Sequence, residues 1–112
     1  MTPKLGAYVV EYRYRVDPLA HDELWPLLAM VSDYAHHLGL AAFEVWQEDE
    51  DPWTIVEMHA YDSWAHQQRV AGKPQHPDMD KVYEGLDRLI EGGLRAVQSR
   101  AYAPVRLPAT QA

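Results

Sequence analysis

Strict alternation marks the first readable stretch of the chain. Between Ala7 and Val16, Tyr8, Val10, Tyr12, Tyr14 and Val16 share one face, and Ala7, Val9, Glu11, Arg13 and Arg15 share the other. Period two in β-branched and aromatic side chains predicts a long strand. Asp17-Pro18 ends it and supplies an N-cap and a first-turn proline for a helix. There Leu24, Leu27, Leu28, Val31, Tyr34, Ala35 and Leu38 recur at helical spacing, which predicts one apolar stripe. Pro26 has no amide to offer the carbonyl of residue 22, so a kink or a short first turn is expected. Gly39 is placed to close the helix.

Two strands follow, from about Ala42 to Glu48 and from Trp53 to Tyr61, and the short acidic turn between them implies an antiparallel hairpin. Ser63 predicts the cap of a second helix starting at Trp64, which Gly72-Lys73-Pro74 interrupts. The helix resumes near Pro77 or Asp78, with Met79, Val82, Leu86, Leu89 and Ile90 on one face. Gly92-Gly93 stops it, and Leu94 to Tyr102 reads as a fourth strand. The order strand, helix, strand, strand, helix, strand predicts one α+β domain: a four-stranded antiparallel sheet with two helices on one face. Its core runs from about residue 7 to 103, and a tail of 104–112 is expected to lie loose or on a partner. The uncovered sheet face mixes Val9 with Glu11, Arg13 and Arg15, which suits a sheet packed on its twin in a homodimer.

Composition narrows the partners. A length of 112 residues leaves room for one domain only. Seven Tyr and four Trp against one Phe favour a half-polar pocket over a dry core, because each carries a polar handle. Ten basic against seventeen acidic side chains, with no basic cluster, argue against nucleic acid. The absence of cysteine excludes disulfides, thiolate nucleophiles and zinc–cysteine sites. No apolar run approaches the roughly 20 residues of a membrane-spanning helix. Residues Met1 to Gly6 lack the apolar run of a signal peptide, so the cytoplasm is the expected compartment.

Candidate chemistry gathers on the third strand, where Trp53, Ile55, Glu57, His59 and Tyr61 share a face. A carboxylate beside an imidazole can fix the tautomer and prepare a general base or proton shuttle. The alternative is a purely structural pair. Tyr12 and Tyr14 could bind a substrate oxygen or stabilise an enolate, or could simply pack. Trp64 is expected to plug the core beside Ser63. His66 and Arg69 share a helix face, where they could meet an anionic or enolic substrate or form a solvated pair. No metal site is expected from the six histidines. His36 and His37 point about 100 degrees apart on a helix, and the interval from His66 to His76 matches no familiar ligand spacing. The acidic run Glu48 to Asp51 lacks the spacing of a calcium loop. Phosphate loops, nucleophile elbows and zincin helices are absent.

Four short segments carry a likeness: Tyr14-Arg15-Val16-Asp17-Pro18, Asp51-Pro52, Val56-Glu57 and Ser63-Trp64-Ala65. Through them the chain resembles the antibiotic biosynthesis monooxygenase-like proteins of the dimeric α+β barrel superfamily. The likeness spans about residues 7 to 103, and is nearest a branch often fused to membrane efflux transporters. It implies a ferredoxin-like β-α-β-β-α-β fold whose strand glutamate faces the helices and a substrate pocket. It further implies a monooxygenase working without metal or flavin on a small aromatic, quinol-like or polyketide-like molecule. On that reading His59, Glu57 and Tyr12 are catalytic, and Tyr14, Ile55, Tyr61, Trp64, His66 and Arg69 bind substrate. Two departures stand out. After Ser-Trp-Ala this chain has His66-Gln67, where relatives carry a glutamate and then a histidine. The strand asparagine of some characterised oxygenases is missing, and Ile55 holds its place. A cyclase, isomerase or lyase on the same scaffold, or a non-catalytic ligand-binding dimer, therefore stays open.

Overall fold

The computed structural model describes residues 7–109. Four strands form one antiparallel sheet in the order β2-β3-β1-β4: β1 (Tyr8–Arg15), β2 (Ala42–Gln47), β3 (Thr54–Tyr61) and β4 (Gln98–Tyr102). The chain thus places its first and third strands at the centre, the ferredoxin-like arrangement. Three α-helices accompany the sheet: α1 (His21–His37), α2 (Trp64–Ala71) and α3 (Asp80–Leu89).

Local chemistry sets the boundaries. Asp17 accepts from the Leu19 amide at 2.9 Å, with Pro18 at the first position, and starts a short 3-10 turn that leads into α1. Helix α1 runs on through Pro26, so the expected change of pitch falls before the helix, at Pro18–Ala20, and not at the proline. At its other end Gly39 has φ of 83°, the Leu40 amide reaches back to the Ala35 carbonyl and the Gly39 amide to His36. That is a Schellman closure, which requires the left-handed conformation glycine adopts without strain. Ser63 accepts from the His66 amide at 3.1 Å and starts α2. The break at Gly72 to Pro74 separates α2 from α3, which is preceded by a 3-10 turn at Pro77–Met79.

The alternating face of β1 supplies the core. Tyr14, Val16 and Ile55 from the sheet meet Leu24, Leu28 and Val31 from α1, and Met79, Val82, Leu86 and Ile90 from the α3 region. Val16, Leu24 and Ile55 are wholly buried, a gain of about 1.5–3 kcal/mol each by area. Gly85 lets α3 approach α1: a Cβ there would lie 2.9 Å from a Leu27 methyl.

Two expectations need correction. The fourth strand begins at Gln98; Leu94–Ala96 form a 3-10 turn, because Gly92 and Gly93 (φ 78° and 76°) swing the chain before it can pair. Trp64 does not plug the core but is 61% exposed, since α2 buries none of its residues fully. Glu11, Arg13 and Arg15 on the uncovered sheet face are engaged within the chain. Arg13 meets Glu48 at 3.0 Å, Arg15 meets Asp51 at 3.2 Å and Glu91 at 2.7 Å, and the Tyr102 hydroxyl donates to Glu11 at 2.9 Å. The acidic hairpin turn is therefore clamped to β1, and Asp51 sits below its ordinary pKa, first through the Thr54 hydroxyl and then through Arg15.

Candidate active site

On the helix-facing side of the sheet a cavity of about 420 Å³ opens between β1, β3, β4 and α3. Tyr12, Tyr14, Glu57, His59, Tyr83, Leu86, Ile90, Leu94, Val97 and Ser99 line it. The sheet register explains how residues distant in sequence meet there. Tyr12 pairs with Glu57 on β3 and with Ser99 on β4, and Tyr14 pairs with Ile55. Period two then sends Glu57 and His59 to the same side as Tyr12 and Tyr14.

Glu57 is the hub and is buried. The Tyr14 hydroxyl donates to its Oε2 at 2.5 Å, and His59 Nε2 lies 3.0 Å from its Oε1. With Glu57 as carboxylate both oxygens accept, so Nε2 of His59 carries the proton and Nδ1 keeps the lone pair. The rings of Tyr12 and Phe43 stand edge-on to the imidazole, at 4.8 and 5.0 Å between centroids, and fix its plane. A carboxylate that orients an imidazole and stabilises its cation is an acid–base unit.

The phenols keep their protons. Burial, then the Glu57 charge, raises Tyr12 above the ordinary value; the same causes and the hydrogen bond to Glu57 raise Tyr14 further. Burial likewise pushes Tyr83 up to about 12. Among the described residues the hydroxyls of Tyr12 and Tyr83 make no hydrogen bond, which leaves two neutral donors available in the cavity.

The remaining predicted residues sit elsewhere. Ile55 is fully buried beneath the site and contributes packing only. Tyr61 is buried against the His66 ring, 5.7 Å away, outside the lining. His66 accepts from the Asp62 amide at 3.0 Å, a local role at the start of α2. Trp64 and Arg69 are exposed on α2, away from the cavity. The lining brings in Tyr83, Leu86, Ile90, Leu94, Val97 and Ser99. Tyr83 was findable: it lies four residues after Met79 and three before Leu86, on the flank of the apolar stripe. Among the described residues no three His, Asp or Glu side chains converge as a metal would require, and no helix is long and apolar enough to cross a membrane.

No family model matches the chain, and no curated protein matches its sequence. Solved structures do match in fold. SnoaB, a cofactor-independent oxygenase from Streptomyces nogalater, superposes with a TM-score of 0.70 at 12% identity, over 91% of this chain and 96% of that one. A protein from Nitrosomonas europaea assigned as an antibiotic biosynthesis monooxygenase gives 0.71 at 12% identity, over 94% and 96%. A conserved protein from Methanosarcina mazei gives 0.71 at 14% identity, over 90% and 95%. The chain therefore has the α+β fold of the antibiotic biosynthesis monooxygenase domain.

Proposed function

We propose that the protein is a monooxygenase of small electron-rich aromatic, quinol-like or polyketide-like molecules, in which the substrate supplies the electrons and no metal or flavin is needed. The observation that carries this reading is the Tyr14–Glu57–His59 chain in the wall of a cavity that Leu86, Ile90, Leu94 and Val97 also line. His59 takes a proton from an acidic C–H or O–H of the substrate, and Glu57 holds the imidazolium that results. Tyr12 donates to the substrate oxygen on which charge develops. The substrate anion passes an electron to dioxygen, the radicals recombine as a peroxide anion that takes the proton back from His59 to give C–OOH, and loss of water leaves a carbonyl. One dioxygen is consumed and one water formed for each CH₂ converted to C=O.

The fold shared with SnoaB supports this reading, and so does the base–donor geometry. A non-oxidative cyclase, isomerase or lyase is the second reading, favoured by one fact: the chain has no asparagine, and the wholly buried Ile55 stands at the position the oxygenase likeness would give it. Both reactions begin with the same proton removal. Two copies are proposed to pair through the uncovered sheet face, in the cytoplasm. A kinship to transporter-fused domains would instead leave this site as a ligand sensor.

The deciding experiment follows oxygen uptake with anthrone as trial substrate, in protein treated with chelator and without added flavin. The expected outcome is one dioxygen per anthraquinone. His59→Ala should lower kcat by about 10²–10⁴-fold while anthrone still binds. Turnover that persists without oxygen moves the protein to the second reading, and parental behaviour of His59→Ala removes the catalytic assignment altogether.

A further inference from the structure

The charge pattern of the cavity points beyond the reaction to the kind of molecule admitted. Glu57 is the one carboxylate on the wall, and no described lining residue is Lys or Arg. The basic side chain that the sequence offered for an anionic substrate, Arg69, lies exposed on α2, and Arg13 and Arg15 are committed on the opposite sheet face. His59, the remaining potential cation, already spends Nε2 on Glu57. Leu86, Ile90, Leu94 and Val97 form the apolar part of the lining.

We infer that the site takes a neutral hydroxyaromatic or enolisable ring compound and excludes carboxylated, phosphorylated or otherwise anionic ones. This rests on the cavity being the substrate site of the proposed function, and it narrows that substrate to one class. An anion brought in from water would lose its hydration beside a buried carboxylate with no positive partner, which penalises an uncompensated charge. A neutral phenol meets no such barrier. Once inside, it can hand its proton to His59, which leaves an imidazolium between two anions and the net charge of the site unchanged. Tyr12 and Tyr83 then hold the new oxyanion as donors, and they remain donors because burial keeps their own protons in place. The guest must therefore be the more acidic phenol or enol of the set. A cavity of about 420 Å³ lies in the range of small-molecule sites.

The test uses 1-naphthol and 4-hydroxy-1-naphthoic acid, which share a ring and differ by a carboxylate, with affinities read by isothermal calorimetry at neutral pH. The naphthol should bind at least about tenfold more tightly than the acid, equivalent to about 1.4 kcal/mol or more. Leu94→Lys places a cation on the partly exposed rim of the cavity, and should raise the affinity of the acid and shrink the ratio. Glu57→Gln should shrink it too, but the rim variant keeps the test alive if the buried one fails to fold. Equal or tighter binding of the acid by the parent protein overturns the inference, as does failure of both probes to bind. Oxygen uptake separates the two proposals. Naphthol preference without uptake removes the oxygenase and leaves the charge selection, whereas uptake with carboxylated and neutral substrates alike does the reverse.

Discussion

At the scale of single residues, the weight falls on the two hydrogen bonds that a buried carboxylate receives. Glu57 accepts from Tyr14 on one oxygen and pairs with His59 on the other. Among the described residues no buried side-chain polar atom is left without a partner. Removing the Tyr14 hydroxyl breaks that condition. Tyr14→Phe leaves Oε2 of Glu57 buried and half-solvated, at a cost of about 1–3 kcal/mol. Urea unfolding should show a lower midpoint at unchanged slope. The double variant Tyr14→Phe with Glu57→Gln should lose less than the sum of the single losses, because the two residues share one interaction. Additive losses would mean that the 2.5 Å contact contributes nothing to stability.

This pair also shows what could be read from the chain. Glu57 and His59 are two apart on an alternating strand, and that spacing alone puts them on one face. Tyr12 and Tyr14 were legible for the same reason. The contact between Tyr14 and Glu57 spans 43 positions and depends on the register of β1 against β3, which no local pattern encodes. Trp64 marks the opposite case. Its capping serine was readable, but whether an eight-residue helix buries a tryptophan depends on how that helix sits, and this one buries no residue fully.

At the scale of elements, the cavity depends on how closely α3 lies against α1, because α3 carries Tyr83 and Leu86 into the lining. Gly85 sets that distance. The helical stripe Val82, Leu86 and Ile90 was evident from spacing, but the need for a glycine between them emerges only when Leu27 is packed against it. Gly85→Val gains helix propensity over glycine but forces the Leu27 methyls aside. Overpacking of this kind costs about 1–3 kcal/mol, enough to outweigh the propensity gain. A fall of several degrees in melting temperature is expected, recovered in part by Leu27→Ala. If Gly85→Val melts at or above the parent temperature, the helices are not in close contact there. The fourth strand illustrates the same limit. Gln98 to Tyr102 pairs as foreseen, but Leu94 to Ala96 turns instead, because two successive glycines with positive φ redirect the chain. That redirection is what presents Leu94 to the cavity.

At the scale of the whole molecule, two consequences follow from how the two sheet faces differ. The first is alkaline sensitivity. Burial pushes Tyr61 and Tyr83 up to about 12, against an ordinary phenol value of 10.0. The folded protein therefore holds protons that the unfolded chain releases. Their contribution to stability is complete below pH 10 and is lost as pH rises from 10 through 12. Thermal melts across that window should drop steeply, and Tyr61→Phe and Tyr83→Phe should each flatten the drop. A flat profile in both parent and variants would show that the phenols are free to ionise in place.

The second consequence concerns the face opposite the cavity. Register aligns Trp46, Val56 and Arg13 across it, and next to them Met58 and Glu11, then Ala42, Ala60, Val9 and Tyr102. Glu44, Gln98 and Arg100 share this face by register, and Arg13 and Arg15 are paired inside the chain, so a twin sheet approaching it meets apolar surface interleaved with charge. Trp46 is 53% exposed and Tyr102 43%, large aromatic areas of the kind that association covers. Val105 and Leu107, beyond β4, stand 77% and 78% exposed on the same end of the chain as Tyr102. Pairing through this face leaves the cavity side untouched, since the two lie on opposite sides of one sheet. Trp46→Arg should therefore convert a dimer to a monomer in sedimentation velocity, and 1-naphthol binding should be unchanged because no lining residue comes from β2. A parent protein that sediments as a monomer would refute the pairing. Loss of naphthol binding together with the dimer would show that the second copy completes the site, and would place the functional unit in the pair rather than in the chain.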